Sequence, residues 1–387
     1  MTNPVINSDV GLSPVEGGYL AYDASADRLH ELNALGALIA ELCDGSRSVE
    51  EIHALAEPLM PTSQSSEIDG WIGAAVKAGL LVWGDGAAVR PRELSSGELT
   101  DLAEHLRDCG KTETAFLCLK RVTELTPENA DAWYALGWAA KAAGRRVEAG
   151  SAFEKYLASG ADDAVIRHML TALKDEAPPP RAPNECVLQI FKDFSSNYDS
   201  KMRDKLSYQA PELLQNLIRS AIGDAAGLEI LDIGCGTGLA GVALKERAAR
   251  LTGVDLSPEM IEFARARGIY DRLEVAEITA WLEESKENFD LIAACDCLVY
   301  FGDLLPVATA AARRLKPGGL FAFTTERGES YPFRLADSGR YTHHPDHVRE
   351  VAANSGLIVA SLEDGFLRME AGADVTGLLA LLKKSGD

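Results

Sequence analysis

Leu231-Asp232-Ile233-Gly234-Cys235-Gly236-Thr237-Gly238 is the stretch that decides the fold of the larger part of this chain. It continues Leu228-Glu229-Ile230, so a short apolar strand runs directly into a loop with glycine at every second position. Glycines permit a tight turn and let backbone N–H groups come close to a bound molecule. A dinucleotide fingerprint would place its third glycine at position 239, which here is Leu239. Asp232 at the mouth of the loop would also repel a pyrophosphate, whereas it suits a ligand that carries an ammonium group.

Outward from that loop, short apolar strands alternate with helices, the pattern of a doubly wound α/β sheet. The spacing predicts strands over residues 228–233, 250–255, 273–276, 289–294, 320–325, 357–362 and 376–382. Helices are predicted over 239–247, 258–267, 278–284, 304–315 and 345–355, after two earlier ones at 187–197 and 211–220. The second strand closes on Asp255 in Leu251-Thr252-Gly253-Val254-Asp255-Leu256-Ser257-Pro258. A carboxylate there can accept from both hydroxyls of a ribose, and Ser257 with Pro258 starts the next helix. Glu277 follows the third strand, where it could accept from an adenine amino group. The fourth strand leads into Ala294-Cys295-Asp296-Cys297-Leu298-Val299-Tyr300-Phe301, and Arg314-Leu315-Lys316-Pro317-Gly318-Gly319-Leu320 makes the turn into the fifth.

These motifs, with seven strands of which the last two have no helix between them, resemble the class I S-adenosylmethionine-dependent methyltransferases over about residues 186–387. The resemblance implies S-adenosylmethionine as cofactor. It places Asp232, Gly234, Gly236, Gly238, Asp255, Leu256, Met260, Glu277, Ile278 and Cys295 around that cofactor, with Tyr198 on a segment that covers it. Acceptor and methyl group would meet near Tyr300. His343, in His343-His344-Pro345-Asp346-His347, is read as a base or orienting group, with Tyr341 as its competitor. Pro345 starts a helix, so His343 and His347 do not share one helical face, and no metal site is predicted. Cys235, Cys295 and Cys297 read as small packing residues rather than metal ligands. No cobalamin or iron–sulfur signature is visible, which leaves oxygen, nitrogen and sulfur acceptors open.

The chain has 387 residues, and that length implies two or three domains. A formal charge of −21 without a basic stripe argues against a nucleic-acid substrate. No apolar run reaches the ~20 residues of a spanning helix, and no signal peptide is visible at the start. Seven irregularly spaced cysteines fit reduced thiols, so a cytoplasmic location without membrane attachment is expected.

Ala177-Pro178-Pro179-Pro180-Arg181-Ala182-Pro183 reads as an extended proline-rich linker, residues 177–183. Before it, Trp133, Leu136, Gly137, Ala149 and Phe153 stand at the slots of a 34-residue helix-pair repeat. Leu99, Leu102, Ala103, Ala115 and Leu119 stand one period earlier, and a first helix at 165–173 follows. Residues 95–175 therefore resemble a short tetratricopeptide array, which offers a surface for a partner protein or serves as a plain helical spacer.

Residues 1–90 read differently. Gly18-Tyr19-Leu20-Ala21-Tyr22-Asp23 and Arg28-Leu29-His30-Glu31-Leu32 are predicted strands. Helices follow at 33–43, at 48–56 with a Ser48/Glu51 capping box, and at 66–78. Small strands followed by three helices suggest a winged-helix-like α+β module. The string Leu32-Asn33-Ala34, with Leu42-Cys43-Asp44-Gly45-Ser46-Arg47-Ser48-Val49-Glu50-Glu51-Ile52 after it, resembles the PqqD family over residues 11–83. Members of that family hold the leader of a ribosomally made precursor peptide. The resemblance implies a leader peptide pairing beside Arg28–Leu32 and leaning on the helix Ser66–Ala78. The chain is thus expected to be multidomain, with residues 184–387 as a methyltransferase that modifies a recruited precursor peptide. The alternatives are a small-molecule methyltransferase whose front half serves assembly, and a non-catalytic adaptor.

Overall fold

The computed structural model describes residues 3–56, 65–84, 92–174, 176–194, 207–370 and 373–386. It divides into two compact units, Met1–Ala161 and Asp162–Asp387.

The first unit opens with β1 (Asn3–Ile6), β2 (Val10–Val15), β3 (Gly18–Asp23) and β4 (Arg28–Asn33). Then come α1 (Ala34–Leu42), α2 (Val49–Ala56), α3 (Ser65–Lys77), β5 (Leu81–Gly84) and β6 (Arg92–Glu93). One sheet runs β4-β3-β2-β6, and β1 pairs separately with β5. Asn33 caps α1 by accepting from Gly36 N at 2.9 Å. Ser48 and Glu51 exchange the reciprocal bonds of a capping box, at 2.8 and 3.3 Å. Ile39, Ile52, Ile68 and Leu81 are buried in one core beside these strands and helices. Four strands beyond those predicted, β1, β2, β5 and β6, complete the sheets; all are short, and β1 and β2 also carry Asn, Gly or Pro among the apolar residues.

Four helices finish this unit: α4 (Ser96–Asp108), α5 (Thr112–Leu125), α6 (Ala130–Ala142) and α7 (Arg146–Ala158). Each packs on the next, and α5 also packs on β2. Lys120 pairs with Glu16 at 2.6 Å, and Thr114 donates to Glu31, so the helices and the small sheet share one compact body. The large and small residues at the repeat spacing interlock. A Cβ on Gly137 would lie 2.3 Å from a ring carbon of Phe153, which is itself wholly buried.

The second unit begins with α8 (Ala164–Leu173) and α9 (Asn184–Phe194), then α10 (Ala210–Ile222). The alternating fold follows as β7 (Leu228–Ile233), α11 (Leu239–Lys245), β8 (Ala248–Asp255), α12 (Pro258–Arg267), β9 (Arg272–Val275), α13 (Ile278–Glu284) and β10 (Phe289–Ala294). It ends with α14 (Leu305–Arg314), β11 (Leu315–Arg327), β12 (Phe333–Leu335), β13 (Tyr341–His343), α15 (Pro345–Asn354), β14 (Leu357–Glu370) and β15 (Ala373–Lys384). Strands β9-β8-β7-β10-β11 are parallel; β15 lies antiparallel between β11 and β14. This is a Rossmann-like sheet, mixed in direction. Neighbouring strand residues point to opposite faces, so Leu231 and Ile292 join one core while Ile230 and Leu291 join the other.

Three features depart from the sequence reading. The hairpin of β12 and β13 was not predicted; β13 runs parallel to the far end of β11, which is longer than expected. The proline-rich segment is extended but seated rather than free. Pro180 O accepts from Gly302 N and Asp303 N, Ala182 N donates to Tyr300 O at 2.8 Å, and Tyr341 donates to Pro179 O at 2.8 Å. Helix α8, expected as the start of a third repeat, belongs to this unit, where His168 bonds Gly339 O and Ala172 packs beside Leu335 and Tyr341.

Gly137→Ala should destabilise the first unit. The overpacking cost of about 1–3 kcal/mol exceeds the roughly 1 kcal/mol of helix propensity that alanine gains. Urea unfolding of the two proteins should show a lower midpoint with an unchanged slope; an equal or higher midpoint would mean that the Phe153 ring yields freely.

Candidate active site

The loop after β7 is tied to its neighbour by main-chain bonds. Gly234 N and Cys235 N both donate to Val254 O, at 2.7 and 3.1 Å. Asp255 then uses each carboxylate oxygen once: Gly236 N donates to Oδ2 and Ser257 N to Oδ1, both at 2.8 Å. Gly234 has φ of +65°, and a Cβ there would stand 2.3 Å from Cys297 Cβ. Only glycine fits that place. Ser257 caps α12 by accepting from Met260 N, with Pro258 in the first turn.

A cavity opens where the parallel strands β7 to β10 end, the usual place for a ligand in such sheets. Gly234 and Gly236 reach it from the loop, and Asp255, Leu256 and Met260 from the end of β8 and the start of α12. Glu277 and Ile278 come from the start of α13, and Cys295, Asp296, Cys297, Tyr300 and Phe301 from the exit of β10. Arg181, Ala182, Val187 and Phe191, from the proline segment and α9, complete the wall.

Eight of the residues expected around the cofactor therefore share one cavity: Gly234, Gly236, Asp255, Leu256, Met260, Glu277, Ile278 and Cys295. Tyr300, expected on the acceptor side, is there too. Glu277 is less free than expected, since its oxygens cap α13 by accepting from Thr279 N and Ala280 N, and Arg181 stands 3.9 Å away. Gly238, with φ of +91°, starts α11 rather than facing the cavity. Asp232 is fully buried behind the loop: Oδ2 accepts from the Tyr270 hydroxyl at 2.7 Å, and Oδ1 has no partner. Tyr198 lies outside the described residues.

His343 and Tyr341 do not meet the cavity. Both are fully buried on β13, a strand the sequence pattern did not reveal. His343 Nε2 faces Gly302 O at 3.1 Å, and so carries the proton, while Nδ1 accepts from Thr325 Oγ1 at 2.6 Å. Burial, with His347 stacked alongside, pushes its pKa down to about 4. With both nitrogens engaged and no path to an acceptor, His343 is a structural residue and not a base. Tyr341 spends its hydroxyl on Pro179 O, and burial raises its phenol further.

The sequence reading missed a buried charge network beside the cavity. Arg368 Nη1 donates to both oxygens of Asp296, at 3.1 and 3.2 Å, and Nη2 to Glu326 and Glu370. Arg340 pairs with Glu370 and lies 3.6 Å from Glu326. Burial raises the Asp296 and Glu326 carboxyls in spite of the guanidiniums; in Glu370 the two arginines outweigh burial and lower it. Asp296 itself has φ of +55°, and its backbone N–H donates to Thr324 Oγ1 at 2.8 Å. The available signal was Leu367-Arg368-Met369-Glu370, two charges at strand spacing in the stretch just past the predicted end of the sixth strand.

Residues 230–319 match the family model described as a methyltransferase domain. Curated relatives include the ubiquinone biosynthesis O-methyltransferase of Xanthomonas oryzae pv. oryzae strain PXO99A, 31% identical over 175 residues that cover 41% of this chain and 70% of the relative. The enzyme of the same name from Xylella fastidiosa strain 9a5c is 35% identical over 145 residues, 33% of this chain and 58% of that protein. Among solved structures, the N-methyltransferase NodS from Bradyrhizobium japonicum WM9, in complex with S-adenosylhomocysteine, is 22% identical with a TM-score of 0.42, over 51% of this chain and 97% of that one. The chain belongs to the S-adenosylmethionine-dependent methyltransferases. It is an enzyme of that class, with S-adenosylmethionine as its cofactor.

Arg368→Met should cost the second unit about 3–5 kcal/mol, because it strips buried Glu326, nearly buried Asp296 and partly exposed Glu370 of a shared counter-charge. The deficit should narrow toward pH 5, as Asp296 and Glu326 take up protons. Denaturant unfolding at pH 7.5 and pH 5 measures both effects, and a pH-independent loss would place the damage in packing alone.

Proposed function

We propose that the enzyme methylates a peptide held by its first unit, with the cofactor and the acceptor atom brought together in the cavity of the second. The observation that carries the peptide reading is the outer edge of β4. Among the described residues this strand pairs only with β3, from Gly18↔Asn33 to Asp23↔Arg28. An unpaired edge offers main-chain donors and acceptors to an added strand, and nearby side chains then select the sequence. Helix α3 leaves Gly70, Gly73 and Ala74 exposed, a surface of small residues against which a peptide side chain can rest. The PqqD-like string lies in the same segment.

In the cavity, S-adenosylmethionine supplies a methyl carbon already activated by its sulfonium. The residues then bind, align and exclude water. Asp255 would accept from the ribose hydroxyls, since a carboxylate that takes backbone donors from Gly236 and Ser257 still has lone pairs to offer. Leu256, Met260 and Ile278 would bed the adenine, while Gly234 and Gly236 would allow close approach and Cys295 would border the methionine end; all six line the cavity. Tyr300 orients the acceptor, because burial keeps its phenol protonated. Asp296 takes the acceptor's proton, being the carboxylate that leaves β10 beside Tyr300.

The names of the relatives favour a second reading, a small-molecule acceptor with an oxygen nucleophile, in which the first unit serves assembly. A leader held on one unit raises the local concentration of the core peptide for the other, and a small molecule would gain nothing from it. Leu29→Pro in the full chain should therefore raise KM for a full-length precursor at least ~10-fold while sparing S-adenosylhomocysteine affinity. Mass spectrometry with methyl-labelled cofactor gives the rates, and circular dichroism checks the fold. Equal KM values for the folded variant and the parent would move the small-molecule reading ahead.

Asp255→Ala should weaken S-adenosylhomocysteine binding by ~1.5–3 kcal/mol, the scale of hydrogen bonds to a charged group. Calorimetry that returned an unchanged affinity would remove Asp255 from the ribose.

A further inference from the structure

Tyr270 stands in the turn after α12, and no motif pointed to it. Its ring fills a space left by three glycines on three neighbouring elements. A Cβ on Gly241 of α11 would lie 2.2 Å from its hydroxyl, one on Gly253 of β8 2.9 Å from its ring, and one on Gly238 of the loop 3.0 Å from its ring. The hydroxyl is thereby fixed on Asp232 Oδ2 at 2.7 Å. Asp232 has no exposed surface, and its other oxygen has no partner. A buried carboxylate with one hydrogen bond and one orphan oxygen holds its charge at considerable cost.

We propose that Tyr270 is a positioning residue that keeps Asp232 ionised behind the glycine loop, and that this charge favours the cationic S-adenosylmethionine over its neutral product. The proposal rests on the reading that Asp232 serves the cofactor site, and it changes how: Asp232 acts by its field rather than by contact, because it has no exposed surface and does not line the cavity. The groups that face the pair come from every element around it. Asp255 lies at the end of β8, Cys235 in the loop, Cys295 and Cys297 after β10, and Arg267 at the end of α12. The field of Asp232 reaches Cys295 and Cys297, both on the cavity wall. S-adenosylmethionine carries a sulfonium that S-adenosylhomocysteine lacks, so an anion beneath the site separates substrate from product by electrostatics.

Burial, followed by the opposing Tyr270 hydrogen bond and the added charge of Asp255, leaves Asp232 with its pKa pushed up to about 7. Its charge is therefore present above that pH and lost below it. Without the hydroxyl, the ionised form loses its one donor and the midpoint moves up.

Calorimetric titration of S-adenosylmethionine and S-adenosylhomocysteine into the full chain, from pH 6 to pH 9, tests this. The parent should show an affinity ratio in favour of S-adenosylmethionine that rises through neutrality. Tyr270→Phe keeps the ring, so the fold should stand. It should bind S-adenosylmethionine ~5–10-fold more weakly at pH 7.5, recover to within about twofold by pH 9, and change S-adenosylhomocysteine affinity little. Asp232→Asn should flatten the ratio at every pH. A loss in Tyr270→Phe that is equal for both ligands and constant with pH, or no loss at all, would reduce Tyr270 to packing and overturn the proposal while leaving Asp232 in place. An Asp232→Asn variant with the parent's affinities and pH profile would instead remove Asp232 from the cofactor site altogether.

Discussion

The close approach of the β7 loop to the ends of β8 and β10 is the constraint on which the catalytic unit depends. Two consecutive amides converge on Val254 O, and Asp255 spans from Gly236 to Ser257, so the loop and the next helix share one carboxylate. On the other side Gly234 lies against Cys297 with no room for a side chain. These contacts decide where the strand ends stand relative to one another, and the cavity is the gap they leave. The helix that begins at Pro258 points its first turn at that gap for the same reason, since its cap follows Asp255 by two residues.

Much of this was legible in the sequence because the loop, the capped helix and the parallel strands are local features. Strands β7, β8 and β10 are short apolar runs, and their boundaries fall close to those expected, while β11 runs beyond its expected span at both ends. The eight cofactor-side residues that meet in the cavity all belong to strand ends or to the turn that follows, so placing the strands placed them. What stayed hidden is non-local. His343 and Tyr341 read as polar residues of a connecting loop, and only the pairing of β13 with the long β11 turns them inward. Tyr270 gave no signal because its role is written in Gly238, Gly241 and Gly253, three positions whose empty space has one common occupant. The front half follows the same division: caps and strands were visible, while the pairing of β1 with β5 was not.

The buried network around Arg368 shows a different limit. Composition alone records an acidic chain, yet the charges beside the cavity are five side chains, of which Arg368, Glu326 and Asp296 are nearly dry. There, a single unmatched carboxylate counts for more than the many solvated ones on the surface, because the medium between charges is poorly polarisable. Three carboxyls against two guanidiniums, beside Tyr300, give that side of the cavity an electrostatic character that the net charge of the chain does not convey.

The seated proline segment has a consequence for how this enzyme can be divided. Its residues read as a spacer, where a chain would ordinarily be cut to free a catalytic domain. Yet Arg181 and Ala182 form part of the cavity wall, and Pro180 receives the amides of Gly302 and Asp303. A fragment begun at residue 184 would carry every residue of the family match and still lack one side of its own pocket. A fragment that keeps the whole pocket wall must therefore start upstream of the prolines.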